Sequence, residues 1–141
     1  MKDSTVPTVL ALLLCDQVII DAQTNKKSLV GVFDNLNSLA YPATITLAVY
    51  AKLRDARGTY NFRMRVVSLK DESAVADLEI KGVHIADPLQ SSELAMNMVG
   101  LPFREAGKYE FQLYANDVYL SRITMDARQI TPGGTIWQQP Q

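Results

Sequence analysis

Hydrophobic and polar residues alternate along most of this chain, and the alternation is most regular after a glycine near the C-terminal end. There Tyr109, Phe111 and Leu113 are separated by charged and amide residues. A period of two is typical of a half-buried β-strand. Asn116–Asp117 favours a turn, because both residues tolerate a left-handed backbone. A second strand is predicted for residues 119–125, so the pattern predicts a C-terminal β-hairpin.

The apolar residues also predict which residues of this hairpin lie opposite each other. Paired residues must share a face of the sheet. The expected inward pairs are Tyr109 with Met125 and Phe111 with Ile123. The expected outward pairs are Lys108 with Asp126, Glu110 with Thr124, and Gln112 with Arg122. This register requires an irregularity near Val118 or Tyr119, since otherwise an arginine would be buried.

Further strands are expected at residues 8–16, 28–33, 44–53, 59–69, 74–81 and 92–101. The first of these is apolar on both faces, which favours a central position in a sheet. Residues 17–21 either continue it or bend away. Gly31 indicates a bulge or a close approach of another segment. Residues 34–38 have loop composition, and 82–90 are expected to be an irregular connection.

The middle hairpin carries its apolar residues at even numbers on both predicted strands. These residues are Tyr60, Phe62, Met64, Val66, Ala76, Leu78 and Ile80. Directly paired numbers should therefore sum to an even value. Arg65 is expected opposite Asp77 or Glu79.

Short strands at regular spacing, without a clear helical pattern, predict an all-β fold. The expected architecture is a single antiparallel β-sandwich of about seven or eight strands, with immunoglobulin-like or related topology. We assign residues 1–130 to this domain. Residues 131–141, which are rich in proline, glycine and glutamine, form a C-terminal polar tail.

Composition narrows the range of functions. The chain has 141 residues and a net charge of −1, so it lacks the basic surplus of a nucleic-acid-binding protein. No apolar run reaches the roughly 18 residues of a membrane span. One cysteine cannot form an internal disulfide, which is consistent with a reducing, cytoplasmic compartment. One histidine and one cysteine exclude the common zinc ligand sets within one chain, and no cofactor is expected.

The apolar segment Val9–Cys15 admits two interpretations. It resembles the core of a secretion signal that ends in a lipidated cysteine. It also suits a buried strand, and two features favour this interpretation. Leu14 stands where a lipid-signal cleavage site needs a small residue, and apolar residues continue past Cys15. We therefore expect Cys15 to be buried and inert.

Three stretches together resemble a known family. They are Leu12–Asp21, Ser28–Asp34, and Pro102–Phe111 with its Gly107-Lys108-Tyr109 turn. The chain is similar to small bacterial proteins grouped only as a domain of unknown function. This resemblance implies a β-sandwich in the bacterial cytoplasm. It implies no activity and no functional residues.

Catalytic and metal sites find little support in the sequence. Cys15 and His84 are the only cysteine and histidine, and no orienting third residue accompanies them. Four aspartates lie near predicted strand ends: Asp16, Asp21, Asp34 and Asp55. Calcium needs six to eight oxygen ligands, and these aspartates form no dense Asp-x-Asp pattern. We predict no catalytic or metal-binding residues and expect that the protein is not an enzyme.

Four arginines fall within twelve residues: Arg54, Arg57, Arg63 and Arg65. They are a candidate contact surface for an acidic partner. The alternative is a solvated strand face on which the arginines pair with acidic residues of the neighbouring strand.

Aromatic residues supply the other candidate contacts. Trp137 is the only tryptophan and lies in the polar tail, where it either anchors a partner or covers the end of the domain. Tyr114 and Tyr119 are the only candidate pair of exposed aromatics for binding a sugar. The leading hypothesis is a non-catalytic module that binds a protein or associates with itself. The alternative is a carbohydrate- or small-ligand-binding module.

Overall fold

A computed structural model describes residues 4–132 of the chain. Within that range it contains ten β-strands and no helix, which confirms the all-β prediction. The strands are β1 Thr8–Cys15, β2 Gln17–Ile20, β3 Lys27–Val30, β4 Asn35–Ser38, β5 Ala43–Arg54, β6 Gly58–Ser68, β7 Ala74–Ile85, β8 Ser92–Phe103, β9 Gly107–Ala115 and β10 Val118–Gln129.

These strands form three sheets, so the prediction of a single sandwich with seven or eight strands is wrong on both counts. A five-stranded sheet has the order β4-β10-β9-β6-β7, a three-stranded sheet the order β1-β5-β8, and β2 pairs with β3. The fold is not wholly antiparallel either, because β4 runs parallel to β10 from Asn35↔Asp126 to Ser38↔Gln129. Strand β4 has no apolar alternation that could have predicted it, since Asn35–Ser38 is almost entirely polar.

The core lies between the five-stranded and three-stranded sheets and is one continuous apolar cluster. Its largest fully buried side chains are Tyr60, Phe62, Phe103, Phe111, Leu14, Leu47, Leu53, Met64, Met96, Leu113, Met125 and Val49. Burial of large apolar side chains is the main stabilising term for such a domain. The alternating residues of β6 and β9 therefore hold the two sheets together.

Strand β1 lies at an edge of its sheet, which corrects the expected central position. Its outer face is apolar because other residues cover it. Cys15 and Ala48 point away from Leu14 and Val49, yet all four are fully buried. The β2–β3 hairpin crosses this outer face, and Lys27 on β3 bonds to Glu93 on β8 at 3.0 Å. Burial of Cys15 is confirmed.

Gly31 follows β3 with a left-handed backbone at φ +70°. A side chain at this position would collide with the carboxylate of Asp16. The expected close approach is confirmed, and it lies just after the strand rather than inside it. It lets the β2–β3 hairpin fold tightly against the end of β1, where the backbone N–H of Asp16 donates to the carbonyl of Val30 at 2.9 Å.

The predicted pairs of the C-terminal hairpin are all confirmed, from Lys108↔Asp126 to Gln112↔Arg122. The turn is two residues long, with Asn116 at φ 48° and Asp117 at φ 65°. The irregularity falls between Tyr119 and Ser121, at the end of the expected region. A bulge there keeps the apolar residues on the core face.

The middle hairpin has the expected even-numbered pairs, such as Met64↔Leu78, and Arg65 lies opposite Asp77. Strand β7 is longer than predicted and continues to Ile85, which corrects the assignment of residues 82–85 to a loop. A register shift near Gly82 makes this possible, because the Asn61 side chain accepts the Gly82 N–H at 3.0 Å. Beyond the shift, Val83 and Ile85 take over the core-facing positions.

Candidate functional site

The outer face of the five-stranded sheet brings together four of the residues predicted to contact a partner, namely Arg63, Arg65, Tyr114 and Tyr119. Register alone places Arg63 of β6, Tyr114 of β9 and Tyr119 of β10 in one row across neighbouring strands. A second row contains Arg65, Gln112 and Arg122. We call Arg63, Glu110, Gln112, Tyr114, Tyr119 and Arg122 the tyrosine–arginine face.

Arg63 is fixed by two kinds of contact. Its guanidinium donates to both carboxylate oxygens of Asp77, from Nε at 2.7 Å and from Nη2 at 2.5 Å. It also lies over the Tyr114 ring, 5.9 Å from the ring centre, within cation–π range. The hydrogen bond from Arg63 lowers the pKa of Asp77, and the same bond raises the pKa of Arg63. Both side chains stay charged at neutral pH.

Tyr119 is the most exposed aromatic ring of this face. It is 46% exposed and meets Tyr114 edge to face, with ring centres 5.8 Å apart. Arg122 contacts the Tyr119 hydroxyl at 3.5 Å and forms an ion pair with Glu110 at 3.0 Å. The bond to Tyr119 raises the pKa of Arg122. Tyr119 therefore presents an exposed aromatic ring with the Arg122 guanidinium, a charged hydrogen-bond donor, beside its hydroxyl group.

Amide and carboxylate groups complete the network below Tyr114. The Tyr114 hydroxyl donates to Gln112 Oε1 at 3.1 Å, and Gln112 Nε2 donates to Glu110 Oε1 at 2.7 Å. Such connected hydrogen bonds hold side chains in single conformations. The face thus combines fixed aromatic rings with hydrogen-bond donors and acceptors, some neutral and some charged. This combination suits binding rather than proton transfer.

The four arginines do not form one patch. Arg54 ends β5 in the three-stranded sheet, and Arg57 lies in the turn before β6. Strand β6 begins at Gly58, directly after Arg57. The five residue steps from Gly58 to Arg63 span about 17 Å of extended strand, so Arg63 lies well away from Arg57. Arg63 is paired with Asp77, as the solvated-face interpretation expects. The acidic-partner hypothesis for Arg54 and Arg57 stays a prediction.

Three members of the tyrosine–arginine face were not predicted as contact residues, namely Arg122, Gln112 and Glu110. The predicted hairpin register could have identified them, because it places Glu110 and Gln112 on the outward face and sets Gln112 opposite Arg122. Trp137 lies outside the described residues, so its predicted role stays a prediction.

The only cysteine and histidine lie apart. Cys15 is buried on the outer side of the three-stranded sheet, whereas exposed His84 lies on the outer side of the five-stranded sheet. The core separates them. His84 Nδ1 is 3.1 Å from Thr59 Oγ1, and burial raises the pKa of the Cys15 thiol.

Within residues 4–132, no group of three or more histidine, cysteine or acidic side chains is placed to hold a metal ion. The same residues form no helix long and apolar enough to cross a bilayer.

A surface depression of about 270 Å³ lies at one end of the hairpin that covers β1. Its lining includes Phe33, Leu36 and Ile45, with Asp16 at the rim. It is slightly smaller than the roughly 300 Å³ at which small-molecule sites usually begin. The tyrosine–arginine face is the better candidate for a binding site, because hydrogen bonds and ion pairs hold its side chains in defined positions.

Comparison with known families assigns this fold to a group of proteins. A family model described as a family of unknown function, DUF6941, matches residues 10–128. The chain belongs to the DUF6941 family. The match includes every residue of the tyrosine–arginine face, and the family resemblance seen in the sequence is confirmed. No curated protein matches the DUF6941 chain.

Several solved structures are similar to the DUF6941 chain in fold. An immunoglobulin-like protein from Pseudomonas aeruginosa is 10% identical, with a TM-score of 0.45 over 89% of this chain and 99% of that one. A Niemann-Pick type C2 protein from the Japanese carpenter ant is 11% identical, with a TM-score of 0.44 over 88% and 92%. A CARDB domain from Pyrococcus furiosus, in complex with metal ions, is 10% identical, with a TM-score of 0.39 over 89% and 96%.

Proposed function

We propose that this protein is a non-catalytic β module that binds a protein partner or associates with itself, and that the tyrosine–arginine face is a contact surface. The observation that carries the proposal is the grouping of Tyr114, Tyr119, Arg63 and Arg122 on one open sheet face. Tyrosine and arginine are enriched among the residues that dominate binding energies.

The geometry of this face supports a binding role further. Arg63 is held by Asp77, and Arg122 by Glu110, so these long side chains lose less freedom when a partner arrives. Immobilising a flexible side chain costs about 0.5–1.5 kcal/mol. Because each arginine lies beside a carboxylate, the charges of the face are balanced. A mixed-charge partner surface fits this arrangement better than a strongly acidic one.

Affinity capture with the full chain from native cells, followed by mass spectrometry, tests the proposal. Tyr119→Ala should remove the captured partner, since loss of a hot-spot residue weakens binding by about 2 kcal/mol or more, about thirtyfold. Val118→Ala is the matched control. Val118 is 44% exposed and adjacent in the chain, but points to the opposite face. Equal capture by both variants would contradict the proposal.

Carbohydrate binding is the second candidate function, and the exposed Tyr119 ring favours it. Gln112 and Arg122 lie beside the ring and supply hydrogen-bond donors and acceptors for hydroxyl groups. A glycan array probed with the wild type and the same two variants separates the candidates. A saccharide bound by wild type and Val118→Ala, but not by Tyr119→Ala, would favour the sugar.

We also propose a bacterial, cytoplasmic setting. The single cysteine is buried as a free thiol, which suits a reducing compartment. Fractionation of cells with an antibody against the protein tests this location, and recovery in the membrane or the medium would oppose it.

A further inference from the structure

The edges of the two larger sheets differ in how well they are protected from pairing with another strand. The β1 edge is bulged after Val9 and bridged by Phe33 at Leu14. Strand β4 has only four residues. Strand β7 carries charged side chains along its length and a register shift near Gly82. Short strands, bulges and charges are the usual means of blocking unwanted edge pairing.

Strand β8 lacks these protections over residues 92–98. Its other side pairs with β5 in one regular register, from Ser92↔Leu53 to Met98↔Leu47. Within the described part of the chain, no strand is hydrogen-bonded to its free side. Ala76, Asp77 and Leu78 of β7 lie across a surface depression from the end of the segment at Asn97 and Met98. The segment contains no proline, glycine or lysine, and Glu93 is its only charged residue. An edge of this kind is a template for an added strand.

We infer that a second copy of this chain pairs antiparallel along residues 92–98, with the two-fold axis at Ala95. This inference rests on the self-association included in the proposed function, and it uses a different surface. A two-fold interface requires a self-complementary segment. In this register Leu94 lies opposite Met96 of the second copy, Glu93 opposite Asn97, and Ala95 opposite Ala95.

Side-chain faces and charges favour this register over its neighbours. The core-facing residues Leu94, Met96 and Met98 stay on one face of the joined sheet, and small Ala95 allows close approach at the axis. A centre at Glu93 would set two carboxylates opposite each other, which is destabilising. A centre at Met96 would extend pairing to residues 99 and 100, where the β5–β8 ladder shifts and the glycine adopts φ +68°.

Charge substitutions at the axis give a test with a distinctive outcome. Each of Ala95→Lys and Ala95→Glu places like charges opposite each other in the homodimer. Mixing the two variants places opposite charges there instead. By sedimentation equilibrium, each variant alone should dimerise about tenfold more weakly than the mixture, since such pairs differ by roughly 1–2 kcal/mol.

Asn97→Lys and Asn97→Glu are the matched controls on the same strand and face. Asn97 faces Glu93 of the second copy rather than itself, so mixing these two variants should give no comparable gain. Melting curves of all four variants check that the fold is retained. An equal mixing gain at both positions, or none at Ala95, would overturn the inferred register.

Disulfide trapping provides a second test that does not depend on charge. In a Cys15→Ala background, Ala95→Cys should form an interchain disulfide under mild oxidation, because the Cβ atoms of directly opposed residues approach to about 4.5 Å, which a disulfide can bridge. Asn97→Cys should not, since its copies are separated by four residue positions. Cross-linking of Asn97→Cys in preference to Ala95→Cys would overturn the inference.

The outcomes separate this inference from the proposed function. If the Ala95 variants lose self-association but keep Tyr119-dependent capture, both stand. A wild-type chain that remains monomeric at millimolar concentration, with Tyr119-dependent capture intact, overturns the β8 inference alone. Absence of both self-association and capture overturns both.

Discussion

Buried and solvent-accessible residues alternate along β9, and this alternation determines which face of the strand packs against the core. Phe111 and Leu113 are fully buried, while Glu110 and Gln112 beside them reach solvent. Phe111→Ala should lower the free energy of unfolding by about 3–5 kcal/mol, because it removes a large side chain from a packed core. Urea titration measures this loss.

Glu110→Ala is the control at the neighbouring position. It removes the ion pair with Arg122 and the hydrogen bond from Gln112; the Arg122 side chain is 60% exposed and that of Glu110 16%. Because one partner of the ion pair is well exposed, the loss should be about 1 kcal/mol, well below that of Phe111→Ala. Similar losses for both substitutions would mean that the wrong face of β9 has been assigned to the core.

Glu93 links the β2–β3 hairpin to the three-stranded sheet and gives stability a dependence on pH. Its carboxylate accepts hydrogen bonds from the Tyr50 hydroxyl and from Lys27. The hydrogen bond from Tyr50, and to a smaller extent that from Lys27, holds the pKa of Glu93 below the usual 4.5. Burial, together with the hydrogen bond to Glu93, raises the pKa of Tyr50 to about 12.

Linkage between protonation and folding gives this effect its sign. A lowered carboxyl pKa stabilises the fold above the unfolded value and loses this contribution as pH falls through the folded value. Glu93→Gln should therefore be less stable than wild type near neutral pH, with a difference that shrinks below about pH 4.5. Denaturant titrations at several pH values measure the difference. A gap that widens in acid would contradict the assignment.

Among the strands and turns, the C-terminal hairpin turn offers a stabilising substitution. Asp117 adopts φ 65° after Asn116 at φ 48°, and glycine is preferred at the second position of such two-residue turns. Asp117→Gly should raise the free energy of unfolding by roughly 0.5–1 kcal/mol, because it removes left-handed strain from a residue with a Cβ atom. Thermal melting measures the gain.

Asn116 is the contrasting position in the same turn. Its side chain accepts the N–H of Asn61 at 2.9 Å and donates to the carbonyl of Thr59 at 3.2 Å. Asn116→Gly removes both bonds and should destabilise the hairpin. Equal effects of the two glycine substitutions would show that neither backbone strain nor side-chain bonding controls the stability of this turn.

The two hairpins were predictable from sequence because alternation and charge pairing both constrain register. Phe111↔Ile123 follows from the shared face, and Lys108↔Asp126 agrees with it independently. Parallel pairing of β4 with β10 carries no such signal, because the two strands are far apart in sequence and Asn35–Ser38 shows little apolar alternation. The position of β1 was wrongly predicted for a related reason: an apolar outer face results equally from a central strand and from a covering hairpin.

The candidate site was predictable only in part. The sequence shows Tyr114, Tyr119 and Arg63 as separate features. They lie side by side only because β9 pairs with both β6 and β10. Arg54 and Arg57 are close to Arg63 in sequence but belong to a strand end and a turn. Proximity along the chain therefore groups arginines that the folded structure places on different elements.

Across the whole domain, the described strands already form a continuous core. The apolar cluster uses residues from Val9 to Ala127, and the Ile130 N–H donates to the carbonyl of Ser38 at 2.9 Å. Removal of residues 131–141 should therefore leave the fold intact. We expect the melting temperature to stay within a few degrees of wild type, since loss of 1 kcal/mol shifts it by about 4 °C in a domain of this size.

The same truncation should weaken capture of a protein partner if Trp137 is an anchor. Trp137→Ala in the full chain is the matched variant, because it removes the ring and keeps the tail. Reduced capture by both, with unchanged melting temperatures, would place the tail in the binding function beside the tyrosine–arginine face. A fall of more than about 10 °C on truncation would instead mean that the tail stabilises the domain, and the anchor hypothesis for Trp137 would lose its basis.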